Sequence, residues 1–189
     1  MSRVNILREA CLCMLVLFVG VLSTIAQVVE PEYIGEAYLF ISDVSNHQLD
    51  KEIGDLTSGV SFSSNSWNAL SLEIAGGKAQ TRLKSDEPLQ IVVRAVDNNS
   101  DPLSIIDIYK FKGNAKKRSV VLSVDNSGTL MKSRTNSKDM VRFSGAKYGA
   151  SSYLITLNNL SVGEYGIVVR NPNNNDQKRI VVSCFAIDK

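Results

Sequence analysis

The chain has 189 residues, of which 44% are hydrophobic and 21% charged, and its formal net charge is +2. This balance excludes a globally basic nucleic-acid binder and an acidic solvating tail. One histidine and three cysteines are too few for the multi-ligand sites that hold zinc, and no residue pattern indicates another cofactor.

The N-terminal residues have the three parts of a secretory signal peptide. Arg3 and Arg8 supply a positive start, Cys11–Val21 an apolar core, and Thr24-Ile25-Ala26 the small residues before a cleavage site. We expect residues 1–26 to be removed, which leaves residues 27–189 as one exported domain, periplasmic or secreted, with no integral membrane segment. The alternative is an uncleaved membrane anchor, which needs about 20 apolar residues.

The expected mature domain, of 163 residues, keeps a net charge of +1 and one cysteine, Cys184. A domain of this length buries roughly 70% of its unfolded surface, and a lone cysteine cannot form an intrachain disulfide. The hydrophobic core must therefore stabilise the domain alone. Cys184 itself lies in the apolar segment Ile180–Ile187, where a free cysteine behaves as a small buried apolar side chain.

Short apolar and β-branched segments recur along the chain, separated by clusters of Asn, Asp, Ser, Gly and Pro. This pattern predicts an all-β protein, a single antiparallel β-sandwich of about nine or ten strands. Tyr153, Ile155 and Leu157 occupy alternate positions and form one apolar face, whereas the continuous runs Ile91–Val93 and Val120–Leu122 indicate more central strands. The predicted strands are Glu36–Ser42, Ala69–Ala75, Ala79–Lys84, Leu89–Val96, Ile105–Lys112, Ser119–Asp125, Met140–Gly145, Ser152–Leu157, Gly163–Arg170 and Ile180–Ile187.

The polar segments between these strands predict turns. Asn171–Asp176 closes a C-terminal hairpin, and Gly76-Gly77-Lys78 forms a hairpin turn after Ala69–Ala75. Asp43–Asn68 has no clear strand pattern, so we expect mostly irregular structure there, with one or two helical turns at Gln48–Gly54.

The segment from Asp97 to Pro102 has two interpretations. Its Asx residues are typical of a turn between strands, which is the favoured interpretation. The oxygen-bearing side chains of Asp97, Asn98, Asn99 and Asp101 could alternatively hold calcium, although the spacing has no EF-hand pattern.

Charge is distributed unevenly along the chain. Lys110–Lys147 carries a net charge of +8, whereas Gln27–Tyr109 carries −8. The two halves either neutralise one another within the sandwich, which we favour, or leave a positive surface for an anionic partner such as an anionic glycan or an envelope protein. In the second case the predicted ligand-binding residues are Lys116, Lys117, Arg118, Lys132 and Arg134. Nucleic acid is a poor candidate, because few aromatic residues interrupt this stretch.

The segments Leu160–Val168 and Cys184–Asp188 resemble the C-terminal hairpin of exported Gram-negative bacterial β-sandwich proteins of unknown function. The shared features are a Leu-x-x-Gly-Glu-Tyr turn and a final Phe-small-apolar-Asp strand. The resemblance implies a β-sandwich fold and export, and it assigns no catalytic residue. In physical terms, Gly163 can adopt positive φ, Glu164 can accept backbone donors, and Tyr165 can bury its ring with its hydroxyl near the rim.

Catalysis has weak support in the sequence. A hydrolytic triad would depend on His47, the only histidine, which lies in a polar stretch. Glu73, Asp107 and Glu164 lie on or beside predicted strands, and two of them could form the carboxylate pair of a glycosidase, but their spacing does not indicate which two. The sequence therefore predicts a non-enzymatic binding or structural module of the bacterial envelope. The alternatives are a secreted glycan-processing hydrolase and an accessory subunit that pairs through an edge strand.

Overall fold

The computed structural model describes residues 29–42, 45–61, 67–84, 88–126, 132–135, 138–176 and 178–189. The predicted signal peptide lies outside this range. The described residues form thirteen strands and one short helix, α1 (Pro102–Ile105). The strands are β1 (Ala37–Ser42), β2 (Ser45–Gln48), β3 (Asp50–Ser61), β4 (Trp67–Ala75), β5 (Arg82–Lys84), β6 (Leu89–Arg94), β7 (Ile106–Gly113), β8 (Lys117–Asn126), β9 (Lys132–Thr135), β10 (Ser144–Tyr148), β11 (Ser152–Leu157), β12 (Gly163–Val169) and β13 (Arg179–Asp188).

The first sheet has the strand order β10-β11-β6-β1-β2, with all neighbours antiparallel. Its middle strand, β6, contains the apolar run Ile91–Val93, which is completely buried. The prediction that this run belongs to a central strand is therefore confirmed.

The second sheet closes on itself. Its strands follow the order β12-β7-β8-β4-β3-β13, and pairing of β12 with β13 completes a six-strand barrel. Two short strands lie outside this ring: β9 pairs with β8, and β5 runs parallel to the end of β13. The all-β class and the C-terminal β12–β13 hairpin are confirmed, but closure of one sheet was not predicted.

Two hydrophobic cores explain the apolar runs of β7, β12 and β13. Side chains of a strand alternate between its faces, so Ile106 and Ile108 of β7 pack against the first sheet, whereas Tyr109 and Phe111 pack inside the barrel. A strand between two cores is apolar on both faces and shows no simple alternation in its sequence. Cys184 lies in the barrel core with no exposed surface, which confirms its predicted burial.

The prediction of mostly irregular structure at Asp43–Asn68 is wrong. Within the described part of this segment lie β2 and the twelve-residue β3, which pairs with both β13 and β4 in the barrel wall. Its polar sequence concealed a strand because Glu52 faces inward and is neutralised by a distant arginine, Arg118. Such a partner is visible only in the folded chain.

Two further local predictions fail because of strand pairing. Gly76–Lys78 does not close a hairpin, because β3 and β8 occupy both edges of β4, and the chain continues to β5 beside β13. The predicted strand Met140–Gly145 instead begins at Ser144, as β10. Met140 makes an isolated bridge to Tyr109 and fills the barrel wall where β7 and β8 pair over only two residues.

The remaining turns follow their predicted chemistry. Asp97 and Asp101 accept hydrogen bonds from backbone amides two residues further along the chain, and Asn98 is buried against the β10–β11 turn. Glu164 accepts a backbone hydrogen bond from Ala79, 85 residues away in the chain, rather than from its own turn as expected. The Tyr165 ring is buried, and its hydroxyl donates to the Ser161 carbonyl at 2.5 Å, an arrangement typical of tyrosine corners in β-proteins.

The first described residues are fixed by one carboxylate. Glu30 accepts hydrogen bonds from the backbone amides of Ala150 and Ser151 and from the Ser152 hydroxyl, and it forms an ion pair with Arg94 at 3.1 Å. Burial alone would raise the pKa of Glu30, but these donors together hold it below its ordinary value. The segment is therefore bound to the β10–β11 turn.

Candidate functional site

One end of the barrel is filled by a polar cluster around Arg118, which is 1% exposed. Its guanidinium lies 2.5 Å from the Glu52 carboxylate, donates to the Gly76 carbonyl at 3.0 Å, and is 3.9 Å from Glu164. Glu164 also accepts from the backbone of Ala79 at 2.7 Å. Since each charged group has an opposite charge or a backbone partner, this end is a closed structural plug.

The buried groups of the plug are unreactive. Burial alone would lower the pKa of Arg118, but the hydrogen bond to Glu52 holds it above the ordinary value, so the guanidinium remains charged. Burial, followed by the Glu52 charge, raises the pKa of the neighbouring Cys184 thiol. A buried thiol with a raised pKa is a poor nucleophile.

The opposite end of the barrel is open and forms a pocket of about 1130 Å³. We call it the barrel-mouth pocket. Its inner wall is apolar, built by Leu72 of β4, Leu122 of β8, Val168 of β12 and Ile180 of β13. Residues 170–174 and Asp176, in the β12–β13 loop, form the polar rim together with Arg179, and the pocket extends around the start of β13 to Ile34 and Gly35.

Two polar groups interrupt the apolar wall. The Asp107 side chain is only 19% exposed, and its one charged neighbour is the exposed Arg170 guanidinium at 3.8 Å, beyond hydrogen-bond distance. Tyr109 is 6% exposed and also lines the pocket. Among the described residues neither the Asp107 carboxylate nor the Tyr109 hydroxyl has a hydrogen-bond partner. Neither residue supplies a fully buried oxygen that lacks a partner, so both polar groups keep some contact with the space of the pocket and are available to a ligand there.

The electrostatics of the pair reflect this isolation. Burial raises the pKa of the Asp107 carboxyl, and the Arg170 charge opposes the shift only in part. Burial, and then the Asp107 charge, raise the pKa of Tyr109 to about 12. The phenol therefore keeps its proton at neutral pH and can donate it to a ligand. Perturbed titratable groups in a cleft are characteristic of functional sites.

The sequence contains a partial signal for this pair. In Ile106-Asp107-Ile108-Tyr109 the period of two assigns Asp107 and Tyr109 to one face of β7. Asp107 was considered only as one of three possible catalytic acids, and Tyr109 was not singled out. The alternation defines a shared face, but only the closed barrel shows that this face lines a cavity.

The structure separates the five predicted anion-binding residues. Lys116 is exposed, Lys117 pairs with Glu73 at 2.6 Å, and Arg118 is buried in the plug. The backbone of Lys132 and Arg134 lies in β9, beside the far end of β8, roughly 20–30 Å away along that strand at about 3.3 Å per residue. The side chains of Lys132 and Arg134 lie outside the described part of the structure, so their binding role stays a prediction.

Other members of the basic segment do converge. Lys110 of β7 and the segment containing Lys138 and Arg142 border a second pocket of about 280 Å³. Lys110 already donates to the Ser161 hydroxyl at 2.6 Å and lies over the Tyr165 ring. Some basic residues of this segment, such as Lys117 and Arg118, are thus neutralised by ion pairs, and others lie together beside β7.

The predicted catalytic candidates are not brought together. Asp107 pairs with Val168, whereas Glu164 lies four residues away on β12, in the plug, and Glu73 forms the Lys117 ion pair. His47 is exposed on β2. Among the described residues, no group of three or more His, Cys, Asp or Glu side chains could hold a metal ion.

The described residues include no helix that is long and apolar enough to span a membrane. Comparisons with protein-family models, with curated proteins and with solved structures found no match for this chain.

Proposed function

We propose that this chain is a non-enzymatic binding module of the bacterial envelope, exported by its N-terminal signal, and that it holds its ligand in the barrel-mouth pocket. The observation that carries the proposal is the Asp107–Tyr109 pair: two shielded polar groups without partners among the described residues, facing a pocket with apolar walls. Ligand pockets typically combine apolar walls with a few placed polar groups.

The contrast with the plug also supports a binding role. In the plug, at the other end of the barrel, every charged group has a partner within the described chain. The Asp107 carboxylate and the Tyr109 hydroxyl instead face the open pocket without a hydrogen-bond partner among the described residues.

The proposal is tested by a thermal-shift screen of the purified protein against apolar and hydroxyl-bearing small molecules and against neutral and anionic glycans, at low and high salt. A ligand at one hundred times its Kd stabilises the folded state by about 2.7 kcal/mol, which raises the midpoint by about 5–11 °C in a domain of this size.

Matched variants locate the binding. Val168→Trp fills the pocket and should abolish the shift, whereas Val162→Trp makes the same change at a half-exposed position outside the pocket and should preserve it. If Val168→Trp fails to fold, Asp107→Leu serves as the second pocket variant. Binding that persists in the pocket variants would contradict the proposal, as would a screen in which nothing binds. Salt-sensitive binding lost in Lys116→Gln/Lys117→Gln would instead support the basic cluster.

A further inference from the structure

We propose that the barrel-mouth pocket takes a neutral, mostly apolar alcohol, whose hydroxyl group lies between Asp107 and Tyr109. This inference rests on the proposed function, because it names the ligand class of that same pocket.

The polar pair requires both a donor and an acceptor from the ligand. Asp107 and Tyr109 are two residues apart on one face of β7, so their α-carbons are separated by about 6–7 Å. A hydroxyl group carries one donor hydrogen and two acceptor lone pairs. It can therefore donate to the Asp107 carboxylate and accept from Tyr109, whose phenol is protonated at neutral pH. One hydroxyl group therefore matches the hydrogen-bonding chemistry of both residues.

Charged head groups fit the pair less well. An ammonium group has donors and no acceptor, so the Tyr109 hydrogen would stay unpaired. A ligand carboxylate has no donor for Asp107 and would be repelled by its charge. The charged residues lining the pocket are Asp107, Arg170, Asp176 and Arg179, whose formal charges sum to zero. The pocket thus offers no net charge to offset the cost of desolvating an ion.

The body of the ligand follows from the rest of the wall. Leu72, Leu122, Val168 and Ile180 line the inner part of the same pocket. An apolar chain or ring there gains roughly 25 cal/mol for each Å² of surface removed from water, whereas a further polar group at this depth would find no partner, because the other polar lining residues lie at the rim. One hydroxyl on an apolar body therefore matches the lining better than a fully hydroxylated sugar.

The test uses four probes with the same apolar chain and different head groups: decanol, decylamine, decanoate and decane. Calorimetric titration of the purified protein should give decanol an affinity about five- to tenfold higher than that of any other probe, the difference expected for a net hydrogen bond. Tyr109→Phe and Asp107→Leu should each reduce this preference of decanol over decane. Tyr38→Phe, which removes a hydroxyl from β1 outside the pocket, should leave the preference intact.

The outcomes separate the two proposals. Equal binding of all four probes, or tightest binding of decylamine or decanoate, would overturn the alcohol assignment while the pocket remained a binding site. A decanol preference that survives in Tyr109→Phe would also overturn it. If no probe binds, but the wider screen finds a ligand whose binding is lost in Val168→Trp, the proposed function stands and the alcohol assignment fails.

Discussion

Replacing Arg118 by methionine tests the structural account of the closed barrel end. The substitution keeps much of the side-chain volume but removes the buried charge that Glu52 faces at 2.5 Å and the hydrogen bond to the Gly76 carbonyl. Breaking a buried ion pair by removing one partner costs about 3–5 kcal/mol. The Glu52 side chain is 25% exposed, so water partly stabilises its carboxylate after the arginine is removed. We therefore expect a loss at the lower end of this range, about 3 kcal/mol.

The measurement is thermal and urea unfolding followed by circular dichroism. For a domain of this size about 3 kcal/mol corresponds to a midpoint lowered by about 6–12 °C. Lys117→Met is the matched control, because the adjacent lysine pairs with Glu73 on the surface, where its side chain is 47% exposed. Removal of such a pair should cost less than about 1 kcal/mol.

A double-mutant cycle with Glu52→Gln isolates the interaction itself. The double variant should be clearly more stable than the sum of the two single effects predicts, because neutral glutamine no longer needs the guanidinium. Strictly additive effects, or equal destabilisation by Arg118→Met and Lys117→Met, would refute the reasoning that Arg118 is the charged centre of a buried plug.

Three further substitutions test separate parts of the structure. Burial raises the pKa of Asp107 above its value in the unfolded chain, so the free energy of unfolding falls as pH rises from the unfolded pKa to the folded one. We therefore expect Asp107→Asn to raise the thermal midpoint at pH 7 and to have less effect below about pH 4. Equal effects at both pH values would contradict this. Gly166→Ala places a Cβ 2.6 Å from the Phe111 ring inside the barrel and should lower the free energy of urea unfolding by about 1–3 kcal/mol. In the control Gly59→Ala the new Cβ meets no atom within 4 Å, so this variant should be nearly neutral. Similar costs for the two variants would contradict the placement of Gly166 against Phe111 in the barrel interior. Glu30→Gln weakens the carboxylate that holds the N-terminal segment and should cost about 1.5–3 kcal/mol, with faster amide exchange in residues 29–36; unchanged exchange would show that the segment is held by other contacts.

Local patterning predicted many of the strands. The predicted bounds of β11 agree residue for residue with the structure, those of β1 and β12 differ by one residue at one end, and those of β7 differ by one residue at each end. These strands have regular alternation or a continuous apolar run, and turn-forming residues flank them, so neighbouring residues alone contain the signal. The Tyr165 turn belongs to the same class, since its hydrogen bond spans only four residues.

The plug was hidden in the sequence for the opposite reason. Glu52 and Arg118 are 66 residues apart in the chain, and each looks like an ordinary surface charge until β3 and β8 enter the same barrel. The predicted basic cluster included Arg118 because a run of positive residues in sequence does not reveal which side chain turns inward.

The sequence by itself determined the all-β class, the C-terminal hairpin and the burial of Cys184, because these depend on alternation, turn chemistry and hydrophobicity that neighbouring residues express. Only the tertiary structure decided that one sheet closes into a barrel, that Arg118 plugs one end, and that Asp107 and Tyr109 face a pocket at the other. Closure requires the β12–β13 hairpin to pair with β7 on one side and with β3 on the other, and such long-range hydrogen bonds leave no periodic signal in any single segment.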